Sequence, residues 1–240
     1  MISVCIATYN GERYIKQQLI SIIAQLSEGD EIVVSDDAST DGTLSVIRSM
    51  GSPLIHIYEH VSEHGYTANF ENALRHAKGD YIFLADQDDV WLPQKVKTCM
   101  QYLQDYYFVV SDAYLTDEQL NIKNSSFYAI RHPHHTFLGN VVKFGYLGCC
   151  MAFRREVLDM ALPFPSNRKF CTHDNWIFLV ASAFYKTYIC EEKLIYYRRH
   201  KGTTSSGGIK NSTNTIFKIR YRIYLIKHIF IRRLKNKRHI

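Results

Sequence analysis

Between Lys78 and Pro93 the chain places Asp86, Asp88 and Asp89 directly behind an uncharged run, Tyr81 to Ala85. A run of that length bounded by turn residues has the pattern of a strand buried on both faces. Three like charges at the end of such a strand disfavour one another as they lose water, so they call for a cation or a substrate that uses them. In an extended segment Asp86 and Asp88 project to one side, where their oxygens could grip one hard cation. The plainer alternative is an acidic cap on the helix that Pro93 would open, a role that suits Asp89 on the opposite side of the extended segment.

Other polar clusters end other apolar runs. Thr8-Tyr9-Asn10-Gly11 follows Ile2 to Ala7, and Asp36-Asp37-Ala38-Ser39-Thr40-Asp41-Gly42 follows Glu31 to Ser35. A helix N-cap accounts for Ser39 and Asp41, and accounts less well for Asp37. Further on, His173-Asp174 stands before the very apolar Ile177 to Phe184, so Asp174 is either the cap of that helix or a general base held at its start. His132, His134 and His135 lack companion ligands at metal-site spacing and read as an exposed loop.

These residues need elements to position them. Ile15, Leu19, Ile22, Ile23 and Leu26 recur at helical spacing after the first strand, and Leu44, Val46 and Ile47 suggest a short helix after the second. Leu54 to Tyr58 reads as a third strand, Asn69 to Lys78 as a helix, and Phe108 to Ser111 as a fifth strand after Tyr81 to Ala85. Strands alternating with helices imply βαβ units and a mostly parallel sheet over at least residues 1 to 112. In such sheets ligands sit at the carboxyl ends of the strands near the switch in strand order, so the three polar clusters converge on one rim. Residues 114 to 140 read as a long loop region, Arg154 to Met160 as a helix and Tyr188 to Ile195 as a last strand.

The chain has 240 residues and a net charge of +6, but the charge is unevenly spread. From Lys210 onward there are ten Lys or Arg and no acid, which leaves 19 basic against 23 acidic groups before it. A hydrophobic fraction of 46% with 22% charged residues excludes disorder and fibre. Six cysteines without C-x-x-C or zinc spacing point to free thiols in a reducing cytosol. The start at Met1-Ile2-Ser3-Val4 shows no signal-peptide pattern, and the uncharged runs are too short for a membrane span. No G-x-G-x-x-G follows the first strand, which speaks against a dinucleotide-dependent oxidoreductase.

Taken in order, Ser3-Val4-Cys5-Ile6-Ala7-Thr8-Tyr9-Asn10-Gly11, Ser35-Asp36-Asp37-Ala38-Ser39-Thr40-Asp41, Lys78 to Asp89, Gly148 to Phe153, His173-Asp174-Asn175-Trp176 and Tyr197-Arg198-Arg199-His200 resemble the family 2 glycosyltransferases. The Asp-Gln-Asp-Asp-Val-Trp and His-Asp-x-Trp forms are most similar to bacterial rhamnosyltransferase-like members that build O-antigen or capsule. The resemblance implies an α/β protein of the inverting GT-A fold, a Rossmann-like, mostly parallel central sheet flanked by helices. Residues 1–200 would be the transferase domain, with 1–112 the nucleotide-sugar half and 113–200 the acceptor half. It implies that Thr8, Tyr9, Asn10, Asp36 and Asp37 hold the donor nucleotide, that Asp86, Asp88 and His200 hold Mg²⁺ or Mn²⁺, and that Asp174 is the general base. Many members carry Glu-Asp where this chain has His173-Asp174, and Arg199 stands where close relatives often have Gln. The implied partners are a nucleotide-sugar donor, dTDP-rhamnose or a UDP-sugar, and a lipid-linked glycan acceptor.

Residues 201–210 read as a small-residue linker and 211–240 as a basic amphipathic helix. Ile216, Ile219, Ile223, Ile226, Phe230 and Leu234 share one face, Lys218, Arg220, Arg222, Lys227, Arg232 and Arg233 lie elsewhere, and Leu225 and Ile229 fall opposite the stripe. The pattern suggests an anionic membrane surface as partner, ahead of packing on protein and well ahead of nucleic acid. The expected location is cytoplasmic, peripheral at the inner face of the cell membrane.

Overall fold

The computed structural model describes residues 1–59, 64–201 and 214–236, so nearly all of the expected 201–210 linker lies outside the described residues. The chain runs β1 (Ile2–Thr8), α1 (Ile15–Ile23), β2 (Glu31–Asp36), α2 (Thr43–Ser49), β3 (Ile55–Glu59), α3 (Tyr66–His76) and β4 (Tyr81–Asp86). It continues with β5 (Val90–Trp91), α4 (Lys95–Tyr102), β6 (Phe108–Thr116), β7 (Ile122–Asn124), α5 (Phe127–Arg131) and α6 (Phe137–Val142). A 3-10 turn at Gly148–Cys150 leads into β8 (Met151–Arg154), α7 (Arg155–Ala161), α8 (His173–Phe184), β9 (Thr187–Arg198) and α9 (Thr215–Asn236).

One sheet carries all the described strands in the order β3-β2-β1-β4-β8-β6-β9-β5, with β7 on the side of β6. The first four are parallel, and the inner three, β2, β1 and β4, are buried along nearly their whole length while the edge strand β3 is half-exposed. α1 buries Ile15, Leu19 and Ile22 along one stripe, as its spacing requires. The long β6–β9 ladder is also parallel, whereas the short β8 joins β4 to β6 by antiparallel pairing. From β1 the chain steps outward through β2 and β3 and then returns to β4 on the other side of β1. That reversal opens the crevice where such sheets take ligands.

Residues 114 to 140 are more ordered than their composition suggests. β6 runs on to Thr116 and pairs with β9 as far as Arg198, and β7, α5 and α6 follow. The strand pattern was hidden because β6 and β9 bury polar groups, among them Asp112, Thr116 and Arg198. Asp112 is held by the backbone amides of Ala113 and Tyr128 and by the Ser126 hydroxyl, so its burial is offset by hydrogen bonds.

α9 lies on the body of the protein. Leu225 and Ile229, the two residues opposite the stripe, are buried, and Tyr221 and Tyr224 pack beside them. Arg232 donates to the Leu162 carbonyl at 2.8 Å and Tyr224 accepts from the Asn167 amide at 3.0 Å. No described helix is long and apolar enough to cross a membrane.

Candidate active site

The β1–β2 and β1–β4 registers pair Thr8 with Asp36 and Ala7 with Asp86, which brings the ends of three strands to one level. Gln87 fastens the β1 and β4 loops together, accepting from the Tyr9 amide at 2.9 Å and donating to the Tyr9 carbonyl at 3.0 Å. A side chain at Gly11 would collide with that amide, so the glycine of Thr-Tyr-Asn-Gly is there for this close approach.

The nucleotide candidates divide into two layers. Tyr9 is exposed on the rim, and Asn10, with φ at 48°, accepts from the Thr40 amide at 2.8 Å. Thr8 and Asp36 lie buried behind it. Asp36 accepts from the Thr8 hydroxyl at 2.8 Å, from the Ser39 hydroxyl at 2.6 Å and from the Ser39 amide at 2.8 Å. Its carboxylate bonds within the turn after β2, behind the rim on which the resemblance places the donor nucleotide. Asp37 stands at the rim, where it accepts from the Gly65 amide at 2.7 Å and meets His64 Nδ1 at 2.8 Å. Asp41 stands just before Gly42, the cap position of α2, and accepts from the Thr43 amide at 3.0 Å.

After β4 the chain turns at Gln87–Asp88 and does not stay extended, so strict side-to-side alternation does not sort the three carboxylates. Asp88 points to His200, whose Nε2 lies 2.8 Å from Asp88 Oδ2. Asp89 is not the cap of α4: it is fully buried and accepts from the Arg198 amide at 3.0 Å, while the α4 cap position is Gln94. The turn swings Asp89 back under Asp86, and with Cys149 they bring ligand atoms within 4.8 Å of one another. Burial and the adjacent Asp88 charge push the Asp86 carboxyl up to about 7, and burial with the same neighbour raises Asp89 well above the carboxylate range.

Burial is the first cause of both shifts and neighbouring carboxylates the next, so a bound cation would offset charge that this site otherwise disfavours. Asp86, Asp88 and His200 offer hard oxygens and one imidazole nitrogen, donor types that suit Mn²⁺ or Mg²⁺, whereas among the described residues the three ligand atoms within 4.8 Å of one another are those of Asp86, Asp89 and Cys149. Cys149 fits less well, because its hydrogen bond with Cys150 and its burial hold the thiol in its protonated form. All six cysteines are free and buried. The three histidines of residues 132 to 135 belong to no three-ligand group among the described residues.

Asp174 is the second residue of α8, with Thr172 at the cap position and no side-chain cap, so the capping role is not its own. It accepts from the Asn175 amide at 2.8 Å, and its charge helps to raise Asp86. Gly148 lies against the start of α8: an added Cβ would stand 2.7 Å from His173 Nε2 and 3.2 Å from the Asp174 Cβ. His173 is buried against Phe70 with ring centroids 4.0 Å apart, and burial lowers its pKa so that it stays neutral.

Sequence reasoning missed the frame behind Asp88 and His200. Arg198 donates to the Asp88 carbonyl at 2.7 Å, the Glu118 carbonyl at 2.7 Å and Gln17 Oε1 at 2.6 Å. Its guanidinium sits 4.8 Å above the Tyr14 ring, Tyr14 donates to Glu118 at 2.5 Å, and the His200 ring lies 4.5 Å from that of Tyr14. The one sequence signal was an arginine inside a tyrosine-rich strand end, where a buried charge needs partners.

A parallel half with carboxylates at its switch point, joined to a mixed half that supplies a further acid, is the architecture of GT-A glycosyltransferases. Superposition on TarS of S. aureus in complex with UDP-GlcNAc gives a TM-score of 0.70 at 19% identity, covering 96% of this chain and 66% of that one. The mannosyltransferase PcManGT from Pyrobaculum calidifontis, in complex with GDP-Man and Mn²⁺, gives 0.64 at 23% identity, covering 84% of this chain and 57% of that one. The family model for glycosyl transferase family 2 matches residues 3–161, and the chain belongs to that family. Among curated relatives it is 28% identical to the dTDP-rhamnosyl transferase RfbG of Shigella flexneri, over 96% of this chain and 82% of that protein. It is 30% identical to the putative glycosyltransferase EpsE of Bacillus subtilis over 52% of this chain, spanning less than half, 46%, of EpsE.

Proposed function

We propose that the protein moves a sugar, with inversion, from a nucleotide donor to a hydroxyl of a lipid-linked oligosaccharide in cell-surface polysaccharide synthesis, O-antigen or capsule. The donor is dTDP-rhamnose or a UDP-sugar, and the similarity to RfbG favours dTDP-rhamnose. What supports this reading is the contact of Asp88 with His200, the charges of Asp88 and Asp174 acting on Asp86, and Asp37 standing just past the end of β2.

Each group has a task its chemistry permits. Asp37, fixed by the Gly65 amide, accepts a hydrogen bond from the pyrimidine base, and the exposed Tyr9 offers its ring to the nucleotide. Asp86, Asp88 and His200 would hold Mg²⁺ or Mn²⁺, which when bound neutralises the charge developing on the leaving diphosphate. Arg198 fixes the Asp88 backbone and stacks on the Tyr14 ring that His200 leans against, so it sets the angle between Asp88 and His200. Asp174 takes the proton from the acceptor hydroxyl as its oxygen attacks the anomeric carbon from the face opposite the nucleotide.

The test is a panel of nucleotide sugars incubated with the purified chain, with Mn²⁺ or with EDTA, reading nucleotide release. One dTDP- or UDP-sugar should be consumed only with the cation, and Asp88→Ala should abolish the release. Tight binding of a nucleotide sugar without turnover to any acceptor would instead make the protein a catalytically silent member of an assembly complex.

A further inference from the structure

Six large apolar side chains on α9, Ile216, Ile219, Ile223, Ile226, Phe230 and Leu234, remain between 47% and 67% exposed although the helix is docked along its opposite face. The neighbouring α6 adds Leu138 and Val142, both exposed, and Arg222 ties the two helices by donating to the Val142 carbonyl at 2.7 Å. A soluble surface seldom gathers so much apolar area without a partner. The docking itself is specific, with Phe217 and Tyr224 against Phe170 and with Arg232 bonded to the carbonyls of the segment before α8.

Charge selects the occupant. Arg220, Lys227, Arg233 and Lys235 are exposed around the stripe, and no acidic residue occurs after Glu192. The stripe has the three-and-four spacing of a coiled-coil seam, but pairing with a second copy would set these cations against their like with no acid to offset them. A bilayer with anionic headgroups accepts both the apolar stripe and its basic flanks. We infer that α9, with the adjoining edge of α6, is a docking surface that lays the protein on an anionic lipid bilayer. Tyr221 on the body side accepts a hydrogen bond from Asn175, the neighbour of Asp174, so the docked helix would hold the start of α8 near the lipid surface. That position suits a lipid-linked acceptor, but the inference stands on the surface and not on the donor or acceptor proposed above.

The experiment is flotation of the full chain with phosphatidylcholine vesicles, with and without phosphatidylglycerol, in the absence of any sugar donor. The chain should float only with the anionic vesicles, and less at high salt. Arg220→Gln with Lys227→Gln should weaken partitioning about 25-fold, at about fivefold per charge removed near the surface. Ile223→Glu with Ile226→Glu should abolish flotation while the melting temperature and nucleotide-sugar hydrolysis stay at wild-type levels, because both side chains point away from the body. Failure of the wild-type chain to float, or equal flotation of the Glu variant, would overturn the inference. So would self-association that the Glu variant abolishes in a chain that does not float.

Discussion

Replacing Asp86 by Asn separates its cost to the empty protein from its use in holding a cation. The folded carboxyl is raised from 3.8 to about 7, chiefly by burial and then by Asp88. It therefore binds its proton more tightly folded than unfolded, and the native state loses stability as pH rises from about 4 to about 7. At about 1.4 kcal/mol per pH unit the full penalty above pH 7 is about 4 kcal/mol, and side-chain relaxation and water at the rim reduce it to about 2. Asn keeps the shape and can still accept from the Cys149 thiol. With 2 to 4 °C per kcal/mol for a chain of this size, Asp86→Asn should melt about 4 to 8 °C higher than wild type in EDTA at pH 8. The gap should close toward pH 4. In saturating Mn²⁺ the order should reverse, because a ligand at a hundred times its dissociation constant stabilises by about 2.7 kcal/mol and the variant forgoes that gain. Differential scanning fluorimetry over pH with EDTA or Mn²⁺ reads both effects. A variant that melts lower than wild type in EDTA at pH 8, or that keeps the full Mn²⁺ shift, would refute the assignment of Asp86.

Asp174→Asn should lower transfer to acceptor by about 10² to 10⁴ while leaving donor affinity by calorimetry unchanged, and a weakened donor would move Asp174 out of the acceptor role. Gly148→Ala should lower turnover more than donor affinity, because the new methyl displaces His173 and Asp174; wild-type kinetics would show that this contact yields freely. Arg198→Met should cost about 3 kcal/mol in urea denaturation by removing hydrogen bonds to a charged group, and should weaken the Mn²⁺ melting shift through Asp88 and His200. An unchanged Mn²⁺ shift would restrict Arg198 to stability alone.

Much of the parallel half was legible because period and boundary coincide there. The runs Ile2 to Ala7, Glu31 to Ser35 and Tyr81 to Ala85 are doubly buried strands ended by polar residues, so one pattern marks both the sheet and its ligand edge. The second half was less legible, because β6 and β9 bury polar and aromatic side chains whose partners are far away in sequence. Asp112 and Arg198 look like loop residues until their hydrogen-bond partners are known.

By itself the sequence determined the residue types, the strand-end carboxylates and the two apolar faces of the last helix, since those follow from composition and periodicity. Tertiary structure decided where each carboxylate stands and what it touches. The turn at Gln87–Asp88 sends Asp89 into the core and turns Asp88 toward His200, and a chain reversal of that kind breaks the alternation from which an extended segment is read. It also decided that Asp36 shapes the rim while Asp37 stands on it, and that α9 packs through Leu225 and Ile229 and leaves its isoleucine stripe outward. These outcomes depend on contacts between residues far apart in the chain, which local pattern does not encode.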